Sequence, residues 1–305
     1  MSADDLETQN ANNANEEISE NYVVENCDFN TNGVNHIHHF FLQNKGGIGK
    51  TTTCSFFVQY LENRHQPRIV FDVDPQNKSL SGYTSLNVET FVFSKNNQSD
   101  LRKIERLFAK LESAPEYQGK NIHFVYDIGT SGYNDFYNTL VTNGNIESFL
   151  EDETTKVIVH AIIGSGEEQT NDCLLGLKDI INHTDHLNVK FVFWVNRYWG
   201  EFILTGTNDT TTNRLEYSKI YKEVKESGKS LGIIYLPVLQ NLNHNEELAA
   251  FELREMVNKR KTFDELIESC DIKDLLSRNR KRRLIILKDE IYDAMDAVLE
   301  KIKFK

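Results

Sequence analysis

The sequence predicts an α/β fold: a single doubly wound, mostly parallel sheet with helices on both faces. Three observations lead to it. Six short apolar runs, rich in β-branched and aromatic residues, alternate with helical patterns. The runs are continuously apolar instead of alternating, as in strands that are covered on both sides. A glycine-rich loop separates the first run from the helix that follows it.

In chain order, His38-His39-Phe40-Phe41-Leu42-Gln43 is the first strand and Thr51 to Leu61 the helix after it. Arg68 to Asp74 is the second strand, Ile122 to Asp127 the third and Lys156 to Ile163 the fourth. Lys190 to Val195 is the fifth and Leu231 to Leu236 the sixth. Pro75 and Pro237 stand just past strand ends, where they shape ligand-facing turns. Gly164-Ser165-Gly166 reads as a strand-to-helix turn, and Leu204 to Arg214 as a polar loop. Leu284, Leu287, Ile291, Met295, Val298 and Ile302 recur at helical spacing in a final amphipathic helix. Its polar face carries Asp289, Glu290, Asp293, Asp296 and Glu300, so it is expected to pack on the core and not on a membrane.

The 305 residues suit one large α/β domain or two small ones, and no internal repeat divides them. At 39% hydrophobic and 26% charged the chain can bury a sizeable core. No apolar run approaches the roughly 20 residues of a membrane span, and no secretory signal is evident. Cys27, Cys54, Cys173 and Cys270 lack metal-ligand spacing and read as reduced thiols of a cytoplasmic protein. The net charge of −12 is uneven, because Met1 to Asn30 holds eight acids and no lysine or arginine. That segment is Asn-rich and poor in apolar residues, so residues 1–35 are expected to form a disordered acidic tail ahead of a domain spanning 36–305. The remainder is near −4, and global charge does not indicate a strongly basic nucleic-acid-binding domain.

The loop is Asn44-Lys45-Gly46-Gly47-Ile48-Gly49-Lys50-Thr51-Thr52. Its glycines let the backbone turn tightly and aim N–H groups at phosphate oxygens. Lys50 can reach the β- and γ-phosphates and the Thr51 hydroxyl can sit on Mg²⁺, at the positive end of the helix dipole. The general P-loop pattern has glycine where this chain has Asn44. Asp72 and Asp74 close the second strand with both carboxylates on one side. Asp127 closes the third, where a carboxylate can bind Mg²⁺ through water, and Gly129-Thr130-Ser131-Gly132 after it supply a flexible turn. Asn196 ends the fifth strand, where a side-chain amide suits either adenine or a structural turn. Pro237 and Leu239 are candidate walls of an adenine pocket. His36, His38 and His39 have no acids or cysteines at ligand spacing, and no metal site is assigned to them.

Lys45-Gly46-Gly47-Ile48-Gly49-Lys50-Thr51-Thr52 resembles the deviant Walker A loop of the ParA/MinD ATPases, P-loop NTPases that often lack the first glycine. The resemblance implies that Lys45 crosses a dimer interface to the phosphates of a partner's ATP, with Lys50 acting in cis. It also implies that Asp74 positions the attacking water, that Asp72 supports the Mg²⁺ and water network, and that Asp127 is the Walker B acid. The backbone from Gly46 to Thr52 would hold ATP, and the family often reads the base near Asn196. Within the family the sequence is most similar to TraL-type ATPases of conjugal transfer. The shared stretches are His39 to Gly47, Asp74-Pro75-Gln76-Asn77, Gly82-Tyr83 with Leu86-Asn87-Val88, Trp194-Val195-Asn196 and Lys261 to Glu265.

The expected function is thus an ATP-driven homodimer switch with a slow Mg²⁺-dependent ATPase, acting with a protein partner of a transfer or partition machinery. A partition ATPase binding non-specific DNA remains an alternative, with Lys259-Arg260-Lys261 and Arg278 to Arg283 as candidate phosphate contacts, although basic runs are also ordinary solvated faces. A nucleotide-gated adaptor with negligible hydrolysis is the alternative outside the enzymes.

Overall fold

A computed structural model describes residues 17–73, 79–95, 98–197, 202–205, 211–236 and 244–304. Its centre is one nine-stranded sheet. The strands are β1 (Glu17–Ile18), β2 (Tyr22–Val24), β3 (His36–Leu42), β4 (Arg68–Asp72), β5 (Val88–Thr90), β6 (Ile122–Asp127), β7 (Thr155–Gly164), β8 (Lys190–Asn196) and β9 (Ser230–Leu236). Their spatial order is β1-β2-β9-β8-β7-β3-β6-β4-β5. Every neighbouring pair from β9 to β5 is parallel, whereas β2 runs antiparallel to β9. The chain winds from β3 to β4 and β6 on one side, then to β7, β8 and β9 on the other. The carboxyl end of β3 is therefore the switch point at which open α/β sheets bind ligands.

All six expected strands are present, and the third has the expected bounds. The second ends at Asp72, where the last ladder bond runs from the Val73 N–H to the Asp127 carbonyl at 2.8 Å, and Asp74 lies outside the described residues. The acidic segment needs correction. Residues 17–35 were expected to be disordered, yet Tyr22-Val23-Val24 pair with Gly232, Ile233 and Ile234, and Val23, Cys27 and Val34 are buried. A few apolar residues suffice there because an unpaired strand edge is waiting for them.

The helices are α1 (Lys50–Asn63), α2 (Leu101–Ser113), α3 (Tyr133–Tyr137), α4 (Asn145–Glu151), α5 (Glu167–His183), α6 (Lys219–Glu226), α7 (His244–Lys259), α8 (Phe263–Glu268) and α9 (Leu275–Leu299). Alternation along β3 and β6 sends side chains to two faces. His38, Phe40 and Tyr126 meet Phe108, Phe136 and Phe149 of α2, α3 and α4. On the opposite face His39, Phe41 and His160 meet Phe57 of α1. The final helix buries the expected stripe, Leu284, Leu287, Ile291, Met295 and Val298, with Ile302 beyond its end. It is tied to α1 at Asp296, which accepts from Tyr60 and Lys303 and pairs with Arg64. Burial pushes that carboxyl up, but the three hydrogen bonds outweigh it and hold it at about 2. Within the expected polar loop, Leu204–Thr205 pairs antiparallel with Thr211–Thr212. No helix among the described residues is long and apolar enough to cross a membrane.

The histidines build a hydrogen-bonded chain through the core. Trp194 Nε1 donates to His160 Nδ1 at 2.9 Å, and His160 Nε2 lies 3.0 Å from His39 Nδ1. His39 Nε2 lies 2.9 Å from His123 Nδ1, and His123 Nε2 lies 3.4 Å from Gln66 Oε1. One tautomer satisfies every link: each neutral ring carries its proton on Nε2 and donates onward. Burial pushes His123 and His160 down to about 3, and burial followed by His123, His160 and His38 pushes His39 well below its ordinary value. The unfolded chain protonates such rings below 6.5, whereas folded His123 and His160 stay neutral to about 3. Stability is therefore lost as pH falls through that window, by about 2 kcal/mol per ring at pH 5. Urea midpoints at pH 7.5 and pH 5.0 check this, and equal midpoints would refute it.

Candidate functional site

Four strand ends meet at the carboxyl edge: those of β3, β4, β6 and β8. The loop between β3 and α1 turns through two left-handed glycines, Gly47 (φ 75°) and Gly49 (φ 91°). Lys50 is buried and arches back over the loop, its Nζ donating to the Lys45 carbonyl at 2.9 Å and to Thr130 Oγ1 at 3.0 Å. The Asn196 amide donates to the Ile48 carbonyl at 2.7 Å, and a side chain at Gly49 would collide with it. Asn196, expected to face a base or a turn, thus braces the loop from the end of β8. Ile48 packs against Gly164 at the end of β7, and the Ser165 N–H donates to the Asn196 carbonyl.

Asp72 and Asp127 are register partners across β4 and β6, at 0% and 1% exposure. Asp72 Oδ2 accepts from the Ser81 N–H at 2.8 Å. Cys54, one turn into α1, lies beside both acids: burial first, then the charges of Asp127 and Asp72, hold its thiol well above the ordinary value. The thiol is kept protonated, so it is no nucleophile. Among the described residues no cluster of three or more His, Cys, Asp or Glu has metal-ligand geometry. The buried carboxylates of Asp72 and Asp127 and the hydroxyl of Thr51 at the start of α1 are all oxygen donors, the sparse kind of set that suits a Mg²⁺ sharing its shell with phosphates and water.

A cleft of about 400 Å³ opens above the loop, lined by Gly47, Gly49, Lys50, Thr51, Thr52 and Thr130 together with Ser79, Tyr83, Gly129, Val257 and Arg260. A hollow of about 470 Å³ at Pro67, Arg68 and Gly119 to Ile122 lies at the opposite, amino-terminal ends of β4 and β6. It has no part in this site. Asp74, Pro75, Gln76, Asn77, Pro237 and Leu239 lie outside the described residues.

Lys45 stands at the rim, 35% exposed, with Nζ 2.5 Å from Asp172 Oδ2 on α5. The Asp172 hydrogen bond, then its charge, holds the ammonium above its ordinary value. Nothing in the sequence pointed to Asp172, because an acid within an amphipathic helix has no distinguishing pattern. Arg260 was readable only as one member of a basic run.

Residues 40–258 match the CobQ/CobB/MinD/ParA nucleotide binding domain. The chain belongs to this family. A protein named TraL from Escherichia coli is 26% identical over 258 residues, covering 85% of this chain and 96% of that protein. A second Escherichia coli TraL is 24% identical over 259 residues, covering 85% and 97%. Among solved structures, the MinD cell division protein of Aquifex aeolicus superposes with a TM-score of 0.43 at 14% identity, covering 83% of this chain and 96% of that one. A plasmid partition protein from Borrelia burgdorferi gives 0.38 at 13%, covering 73% and 97%. Membership rests on the sequence match over residues 40–258 and not on these superpositions.

Replacing Asn196 by Ala leaves the buried Ile48 carbonyl without its donor, at a cost of about 1–3 kcal/mol. Because that carbonyl belongs to the phosphate loop, nucleotide affinity is expected to fall about tenfold or more. Titration with ADP, beside a melting curve without nucleotide, separates the loop effect from a general loss of stability.

Proposed function

We propose that the protein is a slow Mg²⁺-dependent ATPase whose ATP-bound form is a sandwich homodimer, working as a cytoplasmic switch in plasmid conjugal transfer. The observations that carry the reading are the Lys50 ammonium folded across the loop and the register-matched, buried pair Asp72 and Asp127 at the same carboxyl edge of the sheet. The loop N–H groups and Lys50 bind and neutralise the phosphates in cis. Thr51, Asp72 and Asp127 would hold Mg²⁺, which supplies charge neutralisation of the β- and γ-phosphates when bound. Asp74 orients the attacking water, and Lys45 reaches the phosphates of the partner's nucleotide. Positioning and charge supply most of the catalysis in such sites.

The Lys45–Asp172 pair supports the trans role. It is more than a third exposed and surface pairs contribute little, so Lys45 can leave Asp172 for a more highly charged phosphate at small cost. The assignment to conjugal transfer rests on the TraL resemblance. The partition alternative loses support from the basic clusters, because Lys259, Lys261, Arg280 and Arg283 already pair with Glu255, Glu265 and Glu252. Salt-sensitive DNA binding that requires ATP would restore it.

Sizing the protein with ATP, with ADP and without nucleotide tests the switch: a dimer is expected with ATP alone, and Asp74→Ala is expected to trap it. Equal phosphate release from wild type and Asp74→Ala would defeat the enzyme reading and favour an adaptor. Lys45→Ala is expected to abolish the dimer and slow phosphate release about 100-fold or more. Asp172→Asn, which frees Lys45, is expected to dimerise at equal or lower ATP concentration.

A further inference from the structure

The carboxyl end of α7 projects over the phosphate cleft, carrying a charge that the family motifs leave unassigned. Of the residues lining that cleft, Lys50 and Arg260 are the basic ones. Arg260 follows α7 at the position where the helix closes in a paired turn. The Lys261 N–H donates to the Met256 carbonyl at 3.0 Å and the Arg260 N–H to the Val257 carbonyl at 3.3 Å. The turn requires a left-handed residue, and Arg260 has φ 51°. Glycine suits such a position best, and an arginine held there spends stability on its side chain.

The direction of that side chain is fixed from two sides. Its stem lies across Gly82, where an added Cβ would overlap Cδ and stand 2.8 Å from Nε and 2.5 Å from Nη1. Any larger residue at 82 would displace the guanidinium. From the other side, α8 fastens the turn to α1. Thr262 and Glu265 form a capping box, the Phe263 N–H donates to Gln59 Oε1 at 2.9 Å, and the Phe263 ring stacks on Phe56 at 5.6 Å. Since α1 begins at Lys50, the helix that presents the loop also sets the distance from Arg260 to it. The flanking Lys259 and Lys261 pair with Glu255 and Glu265, while Arg260 has no ion pair among the described residues.

We propose that Arg260 is a second phosphate-binding cation supplied in cis, contacting the polyphosphate tail of the nucleotide held by Lys50. Thr51, Gly129 and Thr130 line the same cleft, which sets the contact at the phosphate end and not at the base. A guanidinium fork suits this task because it pairs phosphate oxygens two at a time. The inference rests on the nucleotide-binding reading above. It adds that the α7–α8 turn contributes directly to the phosphate site.

The test uses the full chain and a fluorescent ATP analogue with Mg²⁺. Arg260→Gly removes the side chain where the backbone favours glycine, so its melting temperature without nucleotide is expected to equal or exceed that of the wild type. Its Kd for the analogue is expected to rise roughly ten- to a hundredfold. Arg260→Lys, which keeps the charge but loses the fork, is expected to recover part of the loss, and Arg260→Gln is not. Gly82→Val, which evicts the side chain, is expected to weaken binding as Arg260→Gly does. An unchanged Kd in Arg260→Gly overturns the proposal, as does an Arg260→Lys variant no better than Arg260→Gln. A wild-type protein that binds no nucleotide overturns the nucleotide reading itself and this inference with it.

Discussion

A loop that turns its N–H groups inward must turn carbonyls outward, and buried carbonyls need donors. This constraint organises the carboxyl edge of the sheet. Lys50 supplies the donor for Lys45 and Asn196 supplies it for Ile48. Each donor comes from a different element, so the shape of the loop depends on α1 and β8 being in place. Lys50 also reaches Thr130, which brings in the segment after β6. Three separate parts of the chain are thereby held to one short turn before any ligand arrives.

The acids are positioned by a different rule. Parallel pairing of β4 with β6 places Asp72 beside Asp127 at one level, and full burial leaves neither exposed to water. Such a pair is costly unless something compensates its charge. The Ser81 N–H offsets part of the cost at Asp72. The strand ends thus carry the acids, while Lys50 and Arg260 line the cleft above the loop.

The sheet was largely legible because buried parallel strands read as short, mostly apolar runs rich in β-branched and aromatic residues. The loop was legible because three glycines followed by a lysine and two threonines, set between a strand and a helix, rarely serve another purpose. What escaped the sequence depends on pairing between distant segments. His39, His123 and His160 sit in three strands and form one chain only once β6, β3 and β7 are neighbours. Asn196 offered two uses, and only the approach of Ile48 chose between them. Arg260 was one cation among several, and its difference from Lys259 and Lys261 lies in a backbone angle. Residues 17–35 read as disordered because composition counts charges and does not see an open edge waiting to be paired.

That edge has a practical consequence. The strand β9 is apolar and buried along its whole length, and β2 is what completes its hydrogen bonding on the outer side. A chain trimmed at residue 36, where composition places the start of the domain, would keep the entire phosphate loop. It would also expose an unpaired, greasy ribbon ready to recruit the same ribbon from another molecule. Aggregates of such a fragment would then be mistaken for nucleotide-driven assembly, and the short acidic lead-in is what keeps the two phenomena apart.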